Sequence, residues 1–285
     1  MYYHKHNLGP LCKLRSWVSV DYLKWDDLSW NVNAIGLLEQ NIDKINWRCL
    51  AMNPNGIPLL EKNPTKIRWD MLSQNPNAIR LLEQNMDKID WVYLSRNPGA
   101  IHLLEQNPDK ISWSMLSSNP NAIHLLEKNP DKIDWRCLSC NPNAIHLLEK
   151  NQYKIDWNWL SCNPNAIHLF EKNQDKINWE LICQNENACD LIEKKLLTHD
   201  FYMYAVCPNP SMIHLTEKYY KIIHPVHHVH IDFTFLACNP LIFEYDYDAM
   251  RLRMKRLAEE LIANRFHPRN FEKWIGWGFD EHICD

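Results

Sequence analysis

Glycine is scarce: the chain has 6 in 285 residues. A phosphate-cradling loop needs several close together, because only a missing Cβ lets the backbone approach the ligand, so no Walker or dinucleotide fingerprint is present. An excess of one charge is missing too. Thirty-one Lys and Arg stand against 35 Asp and Glu, a formal net charge of -4, which offers no basic field for nucleic acid. No apolar run reaches membrane-spanning length. The opening stretch, MYYHKHNLGPLCKLRSW, has neither the apolar core nor the small-residue cleavage site of a signal peptide, so secretion is not expected. No nucleophile–base pair and no adjacent carboxylate pair can be picked out, so neither an enzymatic activity nor a cofactor is expected.

What the chain has instead is repetition. Trp25, Trp47, Trp69, Trp91, Trp113, Trp135, Trp157 and Trp179 follow one another at a constant interval of 22 residues, with Phe201 on the next step. A fixed period of this length marks a stacked repeat array. Each unit reads as two short helices. The first begins at Asn-Pro, where Asn supplies a capping oxygen and Pro takes the first helical position. Ala144, Ile145 and Leu148 then share one face, and the helix spans about ten residues. The second begins at the residue before Trp. That column reads Lys24, Asn46, Arg68, Asp90, Ser112, Asp134, Asp156, Asn178 and Asp200, mostly N-cap types. Helices under about 12 residues are marginal alone, so each unit must bury its Ile, Leu and Trp against its neighbours. Trp47, Trp69, Trp91, Trp113, Trp135, Trp157 and Trp179 are the expected repeat core.

Ten cysteines do not make a disulfide framework here. Cys49 and Cys137 fill a column that elsewhere holds Met71, Tyr93, Met115 and Trp159, so a small apolar thiol serves as filler, in a reducing compartment. Cys140 and Cys162 lie one repeat apart, too far to bridge. Polar columns recur as well: Glu61 to Glu193, Lys44 to Lys176, and His102, His124, His146 and His168. The Glu and Lys columns read as partners within or between repeats, or as a charged track for a repetitive partner. Neighbouring His rungs, about 9–10 Å apart at helix spacing, are too distant to share one ion.

The array breaks near its end. The repeat from Asn209 to Cys238 carries extra residues around HPVHHVH, which place His224, His227, His228 and His230 within one short segment. These four are the candidate metal ligands, with His214 or Cys238 as possible additions; a plain surface loop is the alternative. Beyond it, Tyr247 to Asn264 reads as one longer amphipathic helix.

Tandem NPNAIxLLExNPDKIDWxxLSxNP units, closed by a segment like EYDYDAMRLRMKRLAEELIANRFHPRNFEKWIGWGFDE, resemble the repeat proteins encoded in many copies by giant nucleocytoplasmic DNA viruses of the mimivirus kind. The resemblance implies a viral origin and a repeat scaffold, and no reaction. The Asn-Pro and Leu layout is also similar to leucine-rich-variant repeats, which pair an α-helix with a 3₁₀-helix, so the shorter helix is open between those two types.

The expected architecture is an all-α, right-handed solenoid of about nine units, a curved rod on the order of 80–90 Å long. Residues 1–24 form an N-terminal cap, 25–245 the array with its His-rich insertion near 219–230, and 246–285 a helical C-terminal cap. The expected function is non-catalytic: a scaffold that holds a host or viral protein on one face, with a structural part of a virion or viral factory as the alternative. Membrane and nucleic-acid partners are not expected, the oligomeric state is open, and the expected location is host cytoplasm or virion.

Overall fold

The computed structural model describes residues 11–196, 209–214, 216–217 and 233–265. The chain divides into two compact units: the array, Leu14–Phe243, and the residues on either side of it. The array is an all-α solenoid of 22-residue repeats.

The unit that starts at Asn141 shows how the sequence makes the repeat. Asn141 Oδ1 accepts from the Asn143 N–H at 3.0 Å, and Pro142–Ala144 forms a 3₁₀ turn. The α-helix proper is Ile145–Lys150. Asn151 ends it by donating from Nδ2 to the Leu147 carbonyl at 2.9 Å, which satisfies an acceptor that the helix terminus leaves open. A second 3₁₀ turn, Gln152–Lys154, leads into the second helix, Trp157–Leu160, which is α. The expected ten-residue helix is thus a tight turn followed by a shorter α-helix. An Asn side chain that bonds to the N–H two residues on draws the backbone into a turn before the α ladder can start.

The second helices begin where the capping column puts them. Asn46, Asp90, Asp134, Asp156 and Asn178 each accept from N–H groups of the following turn. Arg68 makes no such bond. Arg68→Asp is therefore expected to stabilise the array by about 0.5–1 kcal/mol, seen as a higher urea midpoint. A lower midpoint would mean that the Arg68–Asp70 ion pair, 3.5 Å long, outweighs the missing cap.

Leucine fills the core. Leu50, Leu72, Leu94, Leu116, Leu138 and Leu160 of the second helices are fully buried, as are Leu60, Leu82, Leu104, Leu126 and Leu148 of the first. The tryptophans expected there, Trp47, Trp69, Trp91, Trp113, Trp135, Trp157 and Trp179, are only half-buried. They close the edge of the core, and a lysine of the next unit covers the ring. Lys110, Lys132, Lys154 and Lys176 hold Nζ 4.3–4.5 Å from the ring centroids of Trp91, Trp113, Trp135 and Trp157. The Lys column thus pairs with Trp rather than Glu. Trp113→Ala is expected to cost about 2–3 kcal/mol in urea unfolding, less than the about 3–5 of a fully buried aromatic, because part of the ring is wet and part of its contribution is cation–π.

A column of asparagines runs through the core. Asn53 donates from Nδ2 to the carbonyls of Ser29 and Asn31, and Asn75 to those of Ala51 and Asn53. The same double bond to the preceding unit recurs at Asn97, Asn119, Asn141, Asn163, Asn185 and Asn209. Asn239 then donates to the Asn209 carbonyl. The circuit does not stop there: Asn31 donates to Ala237 O at 2.8 Å and Asn239 O at 2.9 Å, and Asn33 donates to Pro240 O at 2.9 Å. The helix Trp25–Trp30 packs on Phe233–Cys238 as it does on Trp47–Met52. The first unit is therefore the neighbour of the last, and ten asparagines, residues 31, 53, 75, 97, 119, 141, 163, 185, 209 and 239, close a ring.

The expected open rod of about nine units is corrected to a closed array of ten. The cause is a wedge in each unit. Neighbouring units pack most closely through their second helices, such as Trp47–Met52 on Trp69–Leu72 and Trp91–Arg96 on Trp113–Ser117. The first helices pack chiefly on the turns of their own unit, and paired side chains bridge them to the next. Units that approach closely on one side and are bridged on the other must curve, and the second helices take the inside of the curve.

The described residues of the other unit include most of a strand pair, Cys12–Leu14 with Phe243–Tyr245, and the helix Tyr247–Arg265. That helix matches the one expected over 247–264. Among the described residues, no helix is long and apolar enough to cross a membrane.

Candidate functional site

The position after each Trp is exposed or nearly so and projects from the second helices at Asp26, Arg48, Asp70, Val92, Ser114, Arg136 and Asn158, and from the turn before Ile182–Gln184 at Glu180. Its chemistry changes from unit to unit while the framework around it stays constant. The neighbouring exposed apolar groups on the same helices, Trp30 and Trp159, also differ between units. These side chains reach across unit boundaries. Asn46 Nδ2 donates to Asp26 Oδ1 at 2.9 Å, Ser114 Oγ to Asp134 Oδ2 at 2.8 Å, and Asn178 Nδ2 to Asn158 Oδ1 at 3.1 Å. The Arg136 guanidinium lies 5.3 Å from the Trp159 ring centroid. This inner face mixes both charges with aromatic and aliphatic groups, the composition of a protein-binding surface. This column was not among the Glu, Lys and His columns read from the sequence. Aligning the residue after each Trp would have found it.

The first helices carry a different, uniform row. His102, His124, His146, His168 and His214 set Nε2 2.9–3.0 Å from Glu83, Glu105, Glu127, Glu149 and Glu193 of the preceding unit. In the His column, Arg80 meets Glu61 at 2.8 Å; from the position after the Glu column, Lys62 meets Glu39 at 3.1 Å. The Glu column pairs between units, as one sequence reading held, but with His, Arg and this Lys rather than the Lys44–Lys176 column. At about half exposure each pair contributes about 0–1 kcal/mol, so the row sets register more than stability.

One unit departs from this row. Four residues before the Glu, the other units hold Ile: Ile35, Ile57, Ile79, Ile101, Ile123, Ile145, Ile167 and Ile213. At Glu193 that place is Cys189, on the helix Cys189–Leu196. Its Sγ donates to Glu193 Oε1 at 3.6 Å, and Glu193 Oε1 meets His214 Nε2 at 2.9 Å. The ligand atoms of all three lie within 4.8 Å of one another. Burial, then the carboxylates of Glu193 and Asp190, pushes the Cys189 thiol up.

The metal candidates read from sequence, His224, His227, His228 and His230, lie outside the described residues. Of the two side chains considered beside them, His214 joins Cys189 and Glu193, while Cys238 is hydrogen-bonded to Asp27. The described cysteines are free thiols. Burial pushes Cys162 up to about 11 and Cys183 and Cys238 up to about 12, which makes them inert fillers of the core.

No protein-family model, curated protein or solved structure matches the chain. Function must therefore be read from its surfaces.

Proposed function

We propose that this protein is a non-catalytic scaffold whose inner face binds a protein partner. The reading rests on one contrast: the position after each Trp varies in charge and size, while the Asn, Leu and Glu columns that build the ring do not. A rigid framework with a variable exposed column is how repeat arrays present a specific surface. The column suits protein rather than nucleic acid. Asp26, Asp70 and Glu180 would repel phosphates that Arg48 and Arg136 attract, whereas a protein surface can match both signs. The resemblance to giant-virus repeat proteins supports a viral protein that acts on a host or viral partner in infected cells. Proximity labelling in infected cells tests this, with the native chain beside Arg48→Ser/Val92→Ser/Arg136→Ser/Glu180→Ser. Serine already stands in that column at Ser114, so the array should remain folded. Host complexes labelled by the native chain and lost with the variant are the expected result. Recovery of capsid proteins alone would favour a structural part of the virion, and identical labelling by both chains would remove the inner face from consideration.

A further inference from the structure

We infer that Cys189, Glu193 and His214 form a divalent transition-metal site, suited to zinc, on the outer row of the array. A Glu–His pair recurs at five successive or near-successive unit boundaries, so the pair alone is structural. What changes here is the third group. The place held by Ile in eight other units is a thiol, and it is set against the same carboxylate oxygen that meets the imidazole. Sulfur, nitrogen and oxygen donors of this kind are the zinc set, with bonds of about 2.3, 2.0–2.1 and 2.0–2.2 Å. Tetrahedral bonds of those lengths separate ligand atoms by about 3.3–3.8 Å. The present separations, 3.6 Å for Cys189–Glu193 and 2.9 Å for Glu193–His214, need only small side-chain shifts to reach that geometry. Three protein ligands leave a fourth position for water, and the exposed imidazole makes the site reachable from solvent.

Binding converts a hydrogen-bonded cluster into a coordinated one. The metal–sulfur bond forms as the Cys189 proton leaves to solvent, and the Glu193 oxygen exchanges its contacts with thiol and imidazole for the metal. No electron is transferred. The bound ion would join Cys189 and Glu193 of one unit to His214 of the next, which is the irregular repeat.

The test uses the full chain, prepared without a His tag, stripped of metal and titrated with cobalt(II) and then zinc. One equivalent of cobalt should give thiolate-to-metal charge-transfer absorption, which zinc displaces. Cys189→Ile restores the residue of eight other units and should leave the thermal midpoint of the metal-free protein unchanged. It should abolish the absorption and weaken zinc binding by more than the about 10–100-fold that losing a mere supporting partner costs. His214→Ala should keep some thiolate absorption but lose affinity to a similar degree. Three results would overturn the proposal: no cobalt absorption in the native chain, native zinc affinity in Cys189→Ile, or zinc binding lost only in His227→Ala/His230→Ala.

Discussion

Asn141→Ala is expected to destabilise the array by about 3–5 kcal/mol, a large part of the about 5–15 kcal/mol that holds a domain folded. The side chain is fully buried and uses both ends. Nδ2 donates to Ser117 O and Asn119 O, each at 2.9 Å, and Oδ1 accepts from the Asn143 N–H at 3.0 Å. Alanine leaves two buried carbonyls and one part-buried N–H without that partner; of the three, Asn119 O keeps the Ala122 N–H at 3.1 Å. Each buried group so stranded costs about 1–3 kcal/mol. Asn141→Asp separates shape from bonding: it keeps the acceptor for Asn143 but presents oxygen to both carbonyls, so it should cost at least as much near neutral pH. Urea midpoints measure both. A loss under about 1 kcal/mol for the alanine variant would mean that water takes the place of the amide.

Asn31→Ala should cost about 2–4 kcal/mol, close to the interior substitution, and this is the measurement that tests closure. In an open rod Asn31 belongs to the first unit and its amide would face solvent. Its loss would then cost only the about 1 kcal/mol of its capping bond to the Asn33 N–H. In the closed array its amide satisfies Ala237 O and Asn239 O, 206 and 208 residues away in sequence, and the residue is 1% exposed. Amide hydrogen exchange should show the same thing locally: protection should fall first on both sides of the seam, around Asn31 and around Asn239. A midpoint shift of capping size, with exchange raised on one side only, would restore the open rod.

Much of the unit was legible because its signals are local. Asp134 and Asp156 cap the helices they were expected to cap, since a cap is a bond between a side chain and an N–H two or three residues on. The helix over 247–265 follows from spacing within a single segment. Trp113 was harder to place. Its constancy marks it as structural, but constancy does not say whether a ring sits inside the core or at its edge under Lys132. Of the sites, the varied column after Trp was present in the sequence and needed only alignment. The meeting of Cys189 with His214, 25 residues on, depends on how one unit stacks on the next.

The sequence by itself determined the repeating unit: its length, its two helices, their caps and the leucines they bury. Those depend on interactions within about one period, which every copy restates. Only the tertiary structure decided that the array closes. Curvature is a small difference between two packing distances, one between second helices that touch and one between first helices bridged by Glu–His pairs. That difference leaves no mark on the pattern of any single unit. It accumulates from Asn31 to Asn239, and nine such steps bring the last carbonyl to 2.9 Å from the first amide.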